Sequence, residues 1–184
     1  MSNAFALAVA APLLLGLVCL AQFNSQPASR APADPGDVGS VDAILKAVYE
    51  SISGPAGEPR QWERFHSLMH PDGARLMATQ ELEDGTEDLL VMTPADYVER
   101  VSDAFQQGGF FERELHRDEI RYGHVVHAWS TYAWAREEGA EPVQRGVNSY
   151  QLWFDDERWW VVSILWDSER EDQPIPARFL DSEG

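Results

Sequence analysis

The sequence predicts an α+β domain, and two successive patterns along the chain carry that prediction. Between Ser40 and Gly108, apolar residues recur at the three- and four-residue spacing of amphipathic helices. From Phe110 to Asp167 the period changes to two residues, which is the period of strands. Helices followed by sequential strands with short links indicate helices packed against an antiparallel sheet.

Three helices are predicted from their apolar faces and their end signals. Ser40 is a capping residue for the first helix, and glycine marks the end of each one. The third helix begins at Thr93-Pro94-Ala95-Asp96, where a hydroxyl cap is followed by proline and then by an acid. The predicted helices run from Ser40 to Ser53, from Pro59 to His70 and from Thr93 to Gly108.

Four long strands follow the helices. Because only short turns and loops separate them, consecutive strands are expected to pair as an antiparallel meander. Ahead of the third helix, Ala74 to Thr79 is predicted to be a short strand, and Glu81 to Asp88 a loop or hairpin tip. The long strands are predicted at Phe110 to Tyr122, His124 to Arg136, Gly146 to Asp155 and Trp159 to Asp167.

Both faces of the predicted sheet are apolar. In the second long strand, Val125 and Trp129 share one face, while Val126 and Trp134 share the other. An antiparallel sheet with one solvated face would alternate apolar and polar residues, so both faces are expected to be covered. The helices cover one face, and a partner or the chain's own extensions must cover the other. We therefore predict a homodimer that pairs sheet to sheet.

The chain is strongly acidic, with 14 Lys and Arg, 31 Asp and Glu, and a formal net charge of −17 at pH 7. This charge argues against nucleic acid and anionic membrane surfaces as partners, because both require a basic patch. It keeps the protein soluble or attracts cationic ligands. The one cysteine, Cys19, lies in the N-terminal apolar run. If that run is removed, thiol catalysis and disulfides are excluded.

The N-terminal run from Ala4 to Ala21 is uncharged and predicts export. Cys-Leu-Ala before Gln22 fits a small-x-small cleavage site, so residues 1–21 are interpreted as a signal peptide and the protein as periplasmic or extracellular. An uncleaved membrane anchor and lipoprotein processing at Cys19 are the alternatives. Residues 22–39 are then a linker, 40–170 the domain and 171–184 a C-terminal tail.

Four segments of the chain carry a family resemblance: Phe110 to Glu114, His127 to Tyr132, Arg145 to Leu152 and Arg158 to Trp166. On these segments the chain resembles the nuclear-transport-factor-2-like (SnoaL-like) superfamily, and the likeness spans roughly Val41 to Arg170. This resemblance implies a cone-shaped, strongly bent antiparallel sheet packed against three N-terminal helices, with a pocket on its concave face. The superfamily mixes isomerases, dehydratases, cyclases, hydrolases and binding modules, so the resemblance does not specify an activity.

Polar residues within the apolar strands are the candidate pocket residues. Catalytic members of the superfamily place a carboxylate or histidine base near a hydrogen-bond donor, and His127 is the candidate base, although it also fits a structural role. Asn148 and Ser163 either orient a ligand carbonyl or satisfy backbone groups. The pocket is expected to be lined by Tyr97, Glu112, His127, Trp129, Asn148 and Ser163.

Three further patterns have a structural and a functional interpretation. Glu112, Glu114 and His116 alternate along one strand, so they either bind a metal or move protons, or they form cross-strand ion pairs with nearby arginines. His66 and His70 have the spacing of helical zinc sites but lack the usual Glu after the first His. Arg145 binds a ligand carboxylate or pairs with a surface acid. We expect no resident metal or cofactor.

These residues do not combine into a recognised catalytic motif. The chain has no Gly-rich phosphate loop and no Gly-flanked nucleophilic serine. We therefore expect an exported, non-enzymatic domain that binds a small apolar ligand or acts as a dimeric interaction module. The alternative is a lyase or isomerase acting on a small cyclic substrate, with His127 as the base and with Tyr97 and Asn148 as donors. A structural partner domain for an envelope protein is a third alternative.

Overall fold

The structure is a computed structural model that describes residues 32–180. The predicted signal peptide over residues 1–21, with its anchor and lipoprotein alternatives, lies outside the described residues. Within residues 32–180, no helix combines the length and the apolar character needed to cross a bilayer.

Residues 32–180 contain four α-helices; the last three pack against one side of a sheet, and the first packs on the second. The Ser40 hydroxyl accepts a hydrogen bond from the Ala43 amide at the start of the second helix, and Thr93 and Asp96 form a reciprocal capping box at the start of the fourth. Both cap signals in the sequence are thus confirmed. The helices are α1 (Pro35–Val38), α2 (Val41–Ile52), α3 (Trp62–Leu68) and α4 (Pro94–Gly108).

The start of α3 differs from the prediction. The helix begins at Trp62 rather than at Pro59. The reason is Arg60, whose buried guanidinium donates hydrogen bonds to the carbonyls of Pro55, Glu58 and Phe105 and so holds the preceding segment as a loop.

Both ends of the described chain belong to the fold, contrary to the predicted linker and tail. Val38 of α1 is buried although it lies in the predicted linker. In the predicted tail, Ile175 is buried, and the Phe179 ring lies 5.7 Å from the Trp129 ring. The Thr131 hydroxyl also donates a hydrogen bond to the Phe179 carbonyl. The structured domain is therefore longer at both ends than 40–170.

Residues 32–180 contain six strands: β1 (Arg75–Glu81), β2 (Glu87–Met92), β3 (Phe111–Tyr122), β4 (Val125–Ala135), β5 (Gln144–Phe154) and β6 (Trp159–Ser168). They form one sheet in the order β2-β1-β6-β5-β4-β3. The four long strands match their predicted bounds to within two residues, and they pair as the predicted antiparallel meander. β1 pairs parallel with β6, so the sheet is mixed rather than wholly antiparallel. β2 is not among the predicted strands; it pairs with β1 across the predicted hairpin tip.

The inner face of the sheet packs against the helices, and the outer face points away from them. Two irregularities change which residues point inward. The β3–β4 register shifts between Glu114 and His116, and the β5–β6 register shifts so that Val162 has no partner. Such bulges add one residue and bend a strand. The α+β fold class predicted from the sequence is confirmed, and these bulges contribute to the curvature of the sheet.

Candidate functional site

An interior cavity of about 360 Å³ lies between the inner face of the sheet and helices α2, α3 and α4. Aromatic and aliphatic side chains form most of its wall. The exposed lining residues are Ala104 and Arg136, so the cavity opens between the second half of α4 and the end of β4. Its apolar wall includes Val48, Ile52, Phe65, Leu76, Val101, Phe105, Phe110, Trp134, Tyr150, Ile164 and Trp166.

A chain of hydrogen bonds, which we call the polar network, crosses the inner side of the sheet. The Asn148 amide donates to the Tyr49 hydroxyl at 3.1 Å. Tyr49 and Ser130 are linked at 2.7 Å, and the Ser130 hydroxyl donates to the Glu114 carboxylate at 2.5 Å. The network joins α2 to strands β3, β4 and β5 and gives the buried hydroxyl groups of Tyr49 and Ser130 hydrogen-bond partners.

Glu112 joins the polar network to the cavity. Its Oε1 accepts a hydrogen bond from Asn148 Nδ2 at 3.4 Å, and its side chain lines the cavity. Burial raises the pKa of Glu112 to about 8, and the Asn148 hydrogen bond opposes part of that shift. At neutral pH this carboxyl is therefore mostly protonated, and it can donate a hydrogen bond to a ligand.

Two further tyrosines add hydroxyl groups to the cavity wall. The Tyr132 hydroxyl lies 3.2 Å from Ser168 Oγ, and the Tyr97 ring stacks on Phe65 with centroids 5.5 Å apart. Burial raises the pKa of both tyrosines, and the charge of Glu112 adds to the effect. Both hydroxyls consequently remain protonated near neutral pH and are able to donate a hydrogen bond.

The structure brings together three of the six predicted pocket residues. Tyr97, Glu112 and Asn148 all line the interior cavity. Tyr97 lies on α4, Glu112 on β3 and Asn148 on β5, so the cavity brings together a helix and two strands that are separated by β4 in the sheet.

The other three predicted pocket residues, His127, Trp129 and Ser163, lie on the outer face and do not line the interior cavity. His127 Nε2 lies 3.0 Å from Ser149 Oγ, and its ring is 5.0 Å from Trp129. Ser163 pairs with Gln151 on the same face. Side chains alternate between the two faces along β4, so residues 127 and 129 point to the outer face when their neighbours point inward. In β6 the unpaired Val162 shifts this alternation by one residue, and Ser163 therefore points outward.

The remaining candidates also have structural partners. His70 packs edge-on against Trp153 and Trp160, with ring centroids 5.4 and 5.7 Å apart. Arg145 forms a two-point ion pair with Glu169 at 2.8 and 3.0 Å. Among residues 32–180, no group of three or more potential metal ligands is arranged to hold an ion.

The bulge in β3 also changes the predicted row of acidic residues and histidine. Glu112 and Glu114 face inward, opposite Trp134 and Tyr132, whereas His116 pairs with Thr131 on the outer face. The row therefore splits, and only its two carboxyls belong to the polar network.

A second hollow of about 470 Å³ runs along β3 between α2 and the β4–β5 loop. Several of its charged groups pair with one another, and Glu112 lines this hollow as well as the interior cavity. Arg117 contacts Asp42 at 2.5 Å and Glu114 at 3.3 Å, and Lys46 lies 3.4 Å from Glu50. We regard the interior cavity as the candidate site, because its lining is mostly apolar and burial shifts the pKa of Glu112, Tyr97 and Tyr132 there.

Sequence reasoning missed three residues of the site. Tyr49, in the first predicted helix, and Ser130 and Tyr132, in the second long strand, are not among the candidate residues predicted from the sequence. The available signal was Tyr49 itself, which follows Leu45 by four residues and precedes Ile52 by three. That spacing places its hydroxyl on the buried side of the helix, where it requires a partner.

The fold has counterparts among solved structures. A protein of unknown function with a cystatin-like fold from Nostoc punctiforme is similar, with a TM-score of 0.53 and 10% identity over 71% of this chain and 90% of that chain. An NTF2-like protein of unknown function from Silicibacter pomeroyi has a TM-score of 0.48 and 14% identity over 71% of this chain and 94% of that one. Another, from Methylobacillus flagellatus, has a TM-score of 0.46 and 15% identity over 71% and 95%.

These likenesses concern the fold and do not specify an activity. The α+β fold class predicted from the sequence is confirmed by the likeness to the cystatin-like protein from Nostoc punctiforme. No protein-family model and no curated protein matches the sequence.

Proposed function

We propose that this protein binds a small, largely apolar molecule in the interior cavity and that Glu112 contacts the polar group of that molecule. The observation that carries the proposal is Glu112, the one carboxyl among the described lining residues, whose burial in a mostly apolar and aromatic cavity favours its protonated form. Cavities of this kind, with few polar groups at defined positions, are typical of small-molecule sites.

The chemistry of the wall favours a ligand with a hydrogen-bond acceptor. Glu112 in its neutral form and the Tyr97 hydroxyl are both donors. The polar network holds Asn148 through Tyr49, so the amide that contacts Glu112 has a fixed position. A flat or cyclic molecule with a carbonyl or ether oxygen would complement these donors and pack against Trp134 and Trp166.

Calorimetric titration with naphthamide, a neutral bicyclic amide, tests the proposal directly. Ala104 and Ala95 are both exposed residues of α4, but only Ala104 lines the cavity opening. We expect the full-length chain to bind naphthamide, Ala104→Trp to block binding by filling the opening, and Ala95→Trp to bind as the wild type does. Binding that survives Ala104→Trp unchanged would place the ligand elsewhere.

Native mass spectrometry of the exported protein adds two readouts. A retained small molecule would support the binding function. A polypeptide mass that begins at Gln22 would support the proposed signal peptide, whereas a mass that includes residues 1–21 would contradict its cleavage.

An acid–base enzyme is the second candidate, with Glu112 rather than His127 as the base, because Glu112 lines the interior cavity and His127 does not. A carboxyl with a pKa of about 8 lies near the pH at which a general base works well. A lyase or isomerase that uses it should become faster as the pH rises toward 8, because only the ionised form accepts a proton. Turnover that persists undiminished in Glu112→Gln would exclude this role.

We also propose that two copies pair through their outer faces. Ile120 is 74% exposed, Val125 49% and Trp153 37%, although all three belong to the sheet. Exposed apolar groups spread over one face are typical of interaction surfaces. Light scattering should give a dimer mass for the wild type and a monomer mass for Val125→Asp. A wild-type monomer at micromolar concentration would contradict the pairing.

A further inference from the structure

The opening of the interior cavity carries one positive charge. Of its two exposed lining residues, Ala104 is apolar and Arg136 is cationic. The Arg136 guanidinium carbon lies 5.6 Å from the centre of the Trp134 ring, which also lines the cavity. This stacking orients the guanidinium along the cavity wall.

Two glycines allow the arginine to approach the end of α4 closely. A Cβ atom at Gly108 would clash with the Arg136 guanidinium, and one at Gly109 would clash with the Arg136 carbonyl oxygen. Gly109 also has a φ of 68°, which favours glycine. The sequence Gly108-Gly109 therefore makes the space in which Arg136 lies at the opening.

Most of the hydrogen-bonding capacity of Arg136 is unused by the protein. Its Nη1 donates to the Gly108 carbonyl at the long distance of 3.5 Å. Within residues 32–180 it forms no ion pair, although Glu137 and Glu138 follow it directly in the sequence. Arg145, at the start of β5, has both sides of its guanidinium occupied by Glu169.

We propose, building on the binding function above, that the ligand carries a carboxylate at the end nearest the opening and that Arg136 binds it. The ligand class is then an amphiphilic acid with an apolar, cyclic body. The body packs in the interior cavity, its far end meets Glu112, and its carboxylate meets the guanidinium. A guanidinium forms two parallel hydrogen bonds with a carboxylate, a geometry that neutral groups do not reproduce.

Distance along the strand fits a ligand with two polar ends. Arg136 lies two residues beyond Trp134, which corresponds to about 7 Å along an extended strand. Trp134 in turn pairs with Glu112 across the β3–β4 ladder. A bicyclic body spans a gap of this size, so both ends of one molecule can be bound at once.

Because the protein is strongly acidic, Arg136 provides a specific contact that favours an anionic ligand at the cavity opening. With a formal net charge of −17, the chain repels anions in general. An acid that nevertheless binds must gain a specific contact at the opening. At the wall, the protonated state of Glu112 avoids a second negative charge beside the ligand.

A matched pair of probes, naphthoate and naphthamide, separates the acid preference from binding itself. The full-length chain, titrated calorimetrically at pH 7, is expected to bind naphthoate about tenfold more tightly than naphthamide, as one charge-assisted contact would give. Arg136→Gln should reduce that ratio to about one while leaving naphthamide affinity unchanged. Arg136→Lys keeps the positive charge but lacks the planar guanidinium that donates two parallel hydrogen bonds. This variant should retain only part of the preference for naphthoate over naphthamide.

The matched control is Arg100→Gln, an equal change of charge at an exposed position of α4 away from the cavity. It should behave like the wild type. Equal wild-type affinity for the two probes, or a preference that persists in Arg136→Gln, would overturn the role of Arg136 and leave the binding function standing. Failure of both probes to bind would overturn the binding function and this inference with it.

Discussion

The inner and outer faces of the sheet are built from similar apolar residues but differ in what covers them. Val126 and Val125 are neighbours on β4, yet the first is 0% exposed and the second 49%. Three helices pack on the inner face, whereas the described C-terminal segment covers only the part of the outer face around Trp129 and Thr131. Apolar composition therefore predicts that a face is suited to packing, and the neighbouring elements decide whether it is buried.

The polar residues of the two faces differ in the same way. Asn148 and Ser130 on the inner face are buried in the polar network, together with Tyr49 of α2. His127 and Ser149 on the outer face contact each other at the surface of the sheet. A polar group gains chemical importance where burial removes water, because desolvation changes its pKa and its need for a partner.

The largest expected effect concerns Glu112 on the inner face. Its pKa is about 8 in the folded protein, against 4.5 for the free group. The folded state thus holds the proton more strongly, so the wild type loses stability as the pH rises from about 4.5 to 8. Since one pKa unit corresponds to about 1.4 kcal/mol and part of the side chain faces the open cavity, this loss should be on the order of 3 kcal/mol.

Glu112→Gln removes that loss, because glutamine does not ionise. The difference in free energy of unfolding between Glu112→Gln and the wild type should therefore shift in favour of the variant between pH 5 and pH 8. Urea unfolding at both values measures it. Glu99→Gln, at an exposed position of α4, is the control and should follow the wild type. Parallel pH profiles for Glu112→Gln and the wild type would contradict the raised pKa.

The next effect compares the two valines directly. Val126→Ala opens a cavity in the packed inner face and should lower the free energy of unfolding by about 2 kcal/mol. Val125→Ala removes the same atoms from an exposed position and should cost less than about 0.5 kcal/mol in the monomer. Urea denaturation of both variants at low protein concentration tests the comparison. Similar losses would show that the outer face is buried in solution.

A smaller effect is expected where the C-terminal segment covers the outer face. Phe179→Ala removes the ring that packs on Trp129 and should cost about 1 kcal/mol. The hydrogen bond from Thr131 is retained, because its acceptor is the backbone carbonyl of residue 179. Thermal unfolding measures the loss. An unchanged melting temperature would show that this segment adds little to the fold.

The smallest effect is expected at His127. Because its imidazole lies on the outer face beside Ser149, His127→Ala should leave naphthamide binding unchanged and alter stability by less than about 0.5 kcal/mol. Calorimetric titration provides the check. A large loss of cavity binding in this variant would contradict the assignment of the inner face as the site.

About half of the candidate site was predictable from the sequence. Tyr97, Glu112 and Asn148 were identified because each is a polar residue in an apolar setting. His127 and Ser163 met the same criterion but lie on the outer face. The criterion cannot separate the faces, because both sides of β4 and β6 are apolar and a one-residue bulge reverses the alternation.

Local patterns in the sequence determined the α+β class, the helix caps and the four long strands. These features depend on residues close together in the chain, such as Thr93 and Asp96 or the period of two in β3 to β6. Tertiary structure alone decided the parallel pairing of β1 with β6, the inward face of each strand, and the meeting of Tyr49, Glu112 and Asn148. Those outcomes depend on contacts between residues far apart in the chain, so no local pattern specifies them.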